Sequence, residues 1–398
     1  MSSLQDRVRS FRPVGAVPRP ARARPGRRHR WRGVWVPLAA HAATVGLQFL
    51  VLWWMIPPDS QDGVRDKLLS WDGQWYVDVA RNGYPDGLEY HDDGTLSGST
   101  LAFFPLYPGL VRLVHDLTGL GHGTAALVVS RVAAACAAVV VYHLGRRLYD
   151  HRVGLVLSVL VCVQPMALSL SMAYTEGLFL ALAAGALLAA HREAWLTAGL
   201  LGLLAGLTRS TAVAVAAALA VAAGLAMWRR RRVVWRAVAG CALGAAGVPA
   251  YLLWVAHRTG RLDGWTAIQE AGWQTHWDWG RATLRFFGDT LRHGDGWVAV
   301  STVMLICAAL LGSALTIMDR VWPPLVVYGL LVIGLTVGQT NYYHSKPRLL
   351  VPALLALLPL AVALARARTR VAVTVLVVLA LFGTWYGAYL LTVWKWAV

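Results

Sequence analysis

Charged residues are scarce in this 398-residue chain, at 14% against 57% hydrophobic residues. Soluble globular domains carry about a quarter charged residues, so an ordinary water-soluble fold is excluded. Acids are the scarcer sign, with 20 Asp and Glu against 37 Lys and Arg, and lysine occurs only at Lys67, Lys346 and Lys395. The four cysteines, Cys136, Cys162, Cys241 and Cys307, all lie in apolar stretches without the close pairing of a zinc or redox motif. They read as packing residues, and no disulfide is expected. The chain also lacks a Gly-rich phosphate loop, a Gly-x-Ser-x-Gly elbow and a haem motif, which leaves nucleotide cradling and serine hydrolysis without sequence support.

What the chain has is long apolar runs. They recur from residue 34 to residue 393, and at roughly 17 to 25 residues each is long enough to cross a hydrocarbon core as a helix. The net charge of +17 does not point to nucleic acid, because the arginines crowd the first 33 residues and the short loops at Arg146-Arg147, Arg229 to Arg232, and Arg366, Arg368 and Arg370. That pattern follows the positive-inside rule and also suits contact with anionic lipid. Residues 1–33 are expected to form a basic, disordered cytoplasmic tail, and residues 34–398 a single transmembrane domain. The first apolar run is too long for a cleaved signal peptide, and no small-residue cleavage site follows it.

Counting crossings between the basic loops gives the topology. The first span, about 34–56, delivers residues 57–100 to the outer face; the segment 101–118 reads as a re-entrant or interfacial helix; and a second outer loop covers 257–296. The expected architecture is an all-α polytopic bundle of about eleven transmembrane helices, with short amphipathic helices in the first outer loop. Parity places Asp72, Glu176, Arg209, Lys346 and Arg348 together at the outer ends of helices, although they are far apart in sequence.

Two acids and three cations at one membrane face suit transfer of a sugar from a lipid-linked phosphate. A carboxylate takes the proton of the acceptor hydroxyl, and cations stabilise the charge growing on the departing phosphate. Asp72 and Glu176 are the candidate catalytic acids, and Arg209, Lys346 and Arg348 the candidate donor-phosphate ligands. Each has a plainer rival: an N-cap for Asp72, an interfacial carboxylate for Glu176, a snorkelling side chain for Arg209, and a loop charge pair for Lys346 and Arg348. Trp71, Trp75, Tyr76 and Tyr84 suit stacking on sugar faces or anchoring a helix in the headgroup layer. His91-Asp92-Asp93, followed by Gly94 and Thr95, reads as a solvated turn ahead of a metal or nucleotide-sugar site. Trp273, His276, Trp277, Asp278 and Trp279 fit an acceptor glycan or an aromatic belt about equally.

The order of motifs carries a resemblance. Trp71-Asp72-Gly73 with Trp75-Tyr76 and Gly83-Tyr84, then Phe103-Phe104-Pro105-Leu106-Tyr107-Pro108, Tyr174-Thr175-Glu176, Thr208-Arg209-Ser210 and Lys346-Pro347-Arg348 resemble the class V phosphatidylinositol-glycan (PIG-V-like) mannosyltransferases, of the GT-C superfamily. It spans about residues 34–365, and departs from the family at Ser210, where proline is expected, and at His344-Ser345 before Lys346. The resemblance implies a GT-C-like bundle with its site at the outer face; with the cytoplasmic N-terminus that the arginines indicate, the expected setting is the plasma membrane. It also implies a polyprenyl-phosphate-mannose donor, an inverting single displacement onto a lipid-linked or cell-envelope acceptor, and Asp72 as the base. The candidate sugar- and acceptor-binding set adds Tyr107, Tyr174 and His344. No cofactor, metal or nucleic-acid partner is expected. The rival reading is a transporter or flippase of lipid-linked sugars; such proteins tend to carry internal repeats, and none is evident here.

Overall fold

The computed structural model describes residues 27–394 and Trp396. Residues 1–26 of the expected basic tail, and Lys395, lie outside the described residues. Among the described residues the chain folds into α-helices with short 3-10 turns and two isolated β-bridges. Six helices among the described residues are long and apolar enough to cross a membrane: α1 (Arg27–Met55, apolar from Gly33), α5 (His122–Leu148), α9 (Val213–Arg230, extended by the turn at Ser210), α10 (Trp235–Thr259), α13 (Trp297–Met318) and α17 (Thr369–Thr392). A seventh arises if α15 (Lys346–Leu349) and α16 (Leu354–Arg366) count as one span, bent by 60°. The chain is a multi-pass membrane protein.

Four further segments that the sequence reads as crossings are shorter apolar helices: α6 (His151–Val163), α7 (Glu176–His191), α8 (Trp195–Gly206) and α14 (Pro323–Val337). At 12 to 16 residues they reach only about 18–24 Å. What completes the apolar run in sequence is irregular backbone: a 3-10 turn at Ala167–Leu170 with buried flanks through Thr175, and another at Ser210–Ala212. Non-helical backbone at this depth is tolerated where protein encloses it or it lines a cavity.

The basic loops gather at one end of the bundle. There Arg147 Nε donates to His191 Nδ1 at 3.2 Å, Arg152 donates to the Ala367 carbonyl at 3.3 Å, and Arg230 pairs with Glu193. At the other end sit α2 (Val64–Leu69), α3 (Asp72–Asn82), α4 (Leu106–Thr118), α11 (Gly264–Trp273) and α12 (Arg281–His293). α4 buries Tyr107, Pro108 and Val111 and exposes Arg112, His115 and Asp116, or half-exposes them, an amphipathic pattern suited to a membrane interface. The two outer loops are tied to each other, as Arg258 on α10 donates to the Pro85 carbonyl at 2.7 Å and pairs with Asp86 at 2.6 Å.

One helix contact fixes the height of the site. α8 and α10 meet through facing glycines, where a Cβ on Gly199 would lie 2.5 Å from the Gly240 carbonyl oxygen and one on Gly206 would lie 2.8 Å from the Gly247 Cα. Small residues allow such backbone approach in membrane helix pairs, and Arg209 follows directly on the last turn of α8. Gly247→Leu is expected to destabilise the fold by about 1–3 kcal/mol or more through overpacking, read as a lower thermal midpoint in detergent; an unchanged midpoint would show that the helices need not be this close.

Candidate active site

Trp71, the residue before α3, has φ 59° and ψ −125°, a conformation costly for a bulky side chain and of the kind held at functional sites by surrounding structure. It turns the chain so that Asp72 opens α3. Asp72 does not cap the helix: the amides of Gly73 and Gln74 bond to the Ser70 and Trp71 carbonyls instead, and the Asp72 carboxylate faces Arg348, Oδ2 to Nη1 at 2.7 Å.

Arg348 is the hub of a four-residue charge network. Its Nε lies 3.4 Å from Glu176 Oε1, within ion-pair range though not aligned as a hydrogen bond, and its guanidinium stacks 4.7 Å above the Tyr174 ring. Glu176 Oε1 also pairs with Arg209 Nη1 at 2.7 Å, and Thr175 Oγ1 accepts from the same nitrogen at 3.3 Å. Glu176 is 1% exposed at the first position of α7, where the helix dipole favours an anion. Two carboxylates and two guanidiniums leave the network neutral, as burial in low dielectric demands.

Asp72, Arg209 and Arg348 line a cavity of about 630 Å³. Its aromatic wall holds Trp75 between Phe103, stacked at 5.9 Å, and Trp273, edge-on at 5.6 Å. Tyr76 lies beneath, edge-on to Phe103 at 4.9 Å, with its hydroxyl 3.4 Å from Thr175 Oγ1. Burial pushes the Tyr76 phenol well above its ordinary pKa, which the nearby Arg209 only partly offsets, so this hydroxyl stays protonated. Flat rings beside hydrogen-bonding groups make a surface suited to an amphipathic ligand such as a sugar on a lipid.

Several expected site residues stand elsewhere. Lys346 is 1% exposed and does not line the cavity; its ammonium donates to the Thr336 and Gln339 carbonyls at 3.0 and 2.7 Å, and so closes the loop between α14 and α15. Glu176 sits behind the wall and reaches the cavity only through the two arginines. Tyr107 is wholly buried, its hydroxyl donating to the Ala126 carbonyl at 2.9 Å. Tyr84 donates to the Phe103 carbonyl at 2.8 Å, which shapes the wall from outside, and Tyr174 lies under Arg348. Trp71, Trp75, Tyr76 and His344 do line the cavity.

Residues 91–95 fold as a turn, with Asp93 Oδ1 accepting from the Thr95 amide at 2.9 Å and from its hydroxyl at 2.6 Å and Gly94 at φ +82°. These hydrogen bonds hold the Asp93 carboxyl below its ordinary pKa. Of the second aromatic cluster only Trp273 reaches the cavity, while Asp278 accepts from the Gly280 and Ala282 amides at 2.9 and 2.6 Å and so starts α12. Phe103, which the sequence marks only as part of a shaping motif, also lines the cavity, as do Trp265, Gln269, Asn341 and Tyr342, which no sequence signal marks. They sit in loops and short helices that no periodicity marks. Among the described residues no group of three or more His, Cys, Asp or Glu side chains converges to hold a metal ion.

With this geometry in hand, similarities to known proteins acquire meaning. Residues 104–254 match the sequence model of the dolichyl-phosphate-mannose-protein mannosyltransferase family. No curated protein sequence matches the chain. Among solved structures, ArnT from Cupriavidus metallidurans bound to undecaprenyl phosphate superposes with a TM-score of 0.52 at 15% identity, over 86% of this chain and 62% of ArnT. The apo state of the same protein gives 0.50 at 15% identity, over 83% and 60%. An Archaeoglobus fulgidus oligosaccharyltransferase gives 0.48 at 13% identity, over 91% and 56%. The chain thus spans about three-fifths of the length of the ArnT structures it matches, and it shares their membrane-helical fold.

Proposed function

We propose that this protein is a membrane glycosyltransferase that moves a mannosyl or similar hexosyl residue from a polyprenyl-phosphate carrier to a lipid-linked or cell-envelope acceptor, with inversion, on the face of the membrane away from the basic loops. The carrying observation is the Asp72–Arg348 pair on the wall of the cavity. The acceptor oxygen forms a bond to the anomeric carbon while the bond from that carbon to the phosphate oxygen breaks and leaves its electron pair on the phosphate. The acceptor proton goes to Asp72. Once protonated, Asp72 no longer holds Arg348, and that guanidinium is released toward the phosphate as the phosphate gains charge. One ion pair thus links proton acceptance to leaving-group stabilisation.

The other residues take roles that follow from position. Arg209 and Arg348 are the donor-phosphate ligands, since each has guanidinium N–H groups beyond those used on Glu176, Asp72 and Thr175. Glu176 holds the two arginines apart and aimed, and Lys346 holds the loop. Trp71, Trp75 and Tyr76 offer the sugar-stacking surface. The match of residues 104–254 to a mannosyltransferase family, the undecaprenyl phosphate bound by ArnT and the PIG-V-like order of motifs support this reading. The positive-inside rule supports a cytoplasmic basic end and an outward-facing cavity, and the proposed setting is the plasma membrane.

The test is to supply the purified full chain in proteoliposomes with polyprenyl-phosphate-mannose and a membrane-lipid extract as acceptor, and to score labelled lipid or glycan product. Labelled donor crossing the vesicle wall with no sugar transferred would replace this reading with a transporter. Because two guanidiniums supply the positive charge at the phosphate, transfer is expected to continue at its full rate with excess chelator. A loss of activity restored by a divalent cation would contradict that assignment.

A further inference from the structure

The cavity has a second polar wall that the charge network does not use. It is built from the segment between α14 and α15, and this segment is pinned from three directions. Lys346 binds the Thr336 and Gln339 carbonyls. Thr340 Oγ1 receives the His276 amide at 3.0 Å and bonds to the Gln274 carbonyl, and the Thr340 amide bonds to the His276 carbonyl at 3.0 Å. Trp277 and Gln339 form a β-bridge. On this fixed frame two side chains line the cavity with their polar atoms unpartnered: both ring nitrogens of His344 and Oδ1 of Asn341. His344 is only 7% exposed, and its ring is clamped between Tyr342, stacked at 5.6 Å, and Tyr343, edge-on at 5.1 Å. Buried polar atoms left without partners are costly, and natural proteins rarely retain them without a ligand or a function.

The chemistry of the vacant atoms selects the ligand. A neutral imidazole offers one N–H donor and one nitrogen acceptor, and the Asn341 amide adds a carbonyl acceptor and N–H donors. A phosphate, which only accepts hydrogen bonds from such groups, could use the N–H groups but would leave the bare imidazole nitrogen without a donor. A hydroxyl both donates and accepts, and so completes the set. Position selects which hydroxyls. His344 precedes Arg348 by four residues along a continuous helical stretch, the 3-10 turn Tyr343–Ser345 running into α15. That spacing sets the imidazole about one helical turn from the phosphate-binding guanidinium on the same face, roughly the width of one sugar ring.

We infer that His344 and Asn341 form a neutral subsite that reads hydroxyl groups on the sugar ring of the lipid-phosphate donor, with Lys346 as the positioning residue that fixes the loop carrying them. This deepens, and rests on, the glycosyltransferase reading of the cavity. The subsite discriminates between donor sugars, while Arg209 and Arg348 bind the phosphate common to all of them.

The experiment uses the full chain in lipid nanodiscs, with polyprenyl-phosphate-mannose, the matching single-deoxy donors and sugar-free polyprenyl phosphate as probes. His344→Phe, which keeps the ring and removes its nitrogens, and Asn341→Ala are each expected to raise the donor KM about tenfold with little change in kcat, and to change the Kd of sugar-free polyprenyl phosphate by less than about twofold. At least one deoxy donor is expected to be about tenfold poorer than the parent for the wild type and no poorer for His344→Phe, a pattern that mere loosening of the loop would not produce. Should His344→Phe fail to fold, Asn341→Ala with the deoxy series carries the same test. A donor KM unchanged in both variants, or equal weakening of sugar-bearing and sugar-free lipid, overturns the subsite. A wild type that binds the donor but transfers no sugar overturns the enzymatic reading instead, and the two failures are therefore distinguishable.

Discussion

Asp72→Asn is expected to lower the turnover of glycosyl transfer by about 10²- to 10⁴-fold, the range that a positioned general base supplies. Asparagine has the same shape and keeps an oxygen for Arg348, so α3 and the cavity wall should persist. What disappears is the capacity to take a proton and, with it, the release of Arg348 toward the phosphate. Because Asp72 is the most exposed of the four charged groups, its neutralisation should cost less stability than that of Glu176. The measurement is a single-turnover rate with polyprenyl-phosphate-mannose, alongside the thermal midpoint of the same preparation. Donor KM should move far less than the rate. A variant that transfers sugar at the wild-type rate would remove Asp72 from the chemistry and leave its pairing with Arg348 as structure alone.

Glu176→Gln has the opposite signature. Its carboxylate is the shared partner of Arg209 and Arg348 in a place that water does not reach. An amide in its place leaves one buried positive charge without a counter-ion, and breaking such a network on one side costs about 3–5 kcal/mol. The expected result is a large drop in thermal midpoint or in the yield of folded protein, well beyond that of Asp72→Asn. Any folded fraction should bind donor poorly, because the two arginines would repel each other out of register. Full stability in Glu176→Gln would mean that the network is dispensable to the fold. Wild-type stability combined with complete loss of transfer would instead return Glu176 to a direct part in the chemistry. The two acids, which look alike in sequence as carboxylates at helix starts, are separated by these paired readouts.

How much of this was visible in the sequence depends on which property is asked for. Hydropathy and the arginine loops locate the apolar helices, because burial in lipid leaves few alternatives to a helix. Crossing parity brings Asp72, Glu176, Arg209 and Arg348 to one end of the bundle before any coordinate is known. Parity cannot tell where a side chain points. Lys346 and Arg348 are two residues apart and share a motif, yet one turns back onto the carbonyls ending α14 and the other enters the cavity. The aromatic motifs divide in the same way: Trp75 and Tyr76 face the cavity, while Tyr84 and Tyr107 spend their hydroxyls on backbone carbonyls. The apolar runs over α6 and α14 extend past the helices themselves, because the turns that follow, such as Met166 to Ala173, are as apolar as the helices. Asn341 and Gln269 carry no pattern at all, and only their placement on the wall marks them.

The most direct measurement is a structure of the full chain with polyprenyl phosphate bound in a lipid nanodisc. The account predicts the phosphate within hydrogen-bonding distance of the Arg348 and Arg209 guanidiniums, beside Asp72 and facing the wall of Trp75 and His344, with the lipid chain leaving toward the bilayer. A phosphate held at the basic end of the bundle, or anywhere that leaves the Asp72–Arg348–Glu176–Arg209 network untouched, would contradict it.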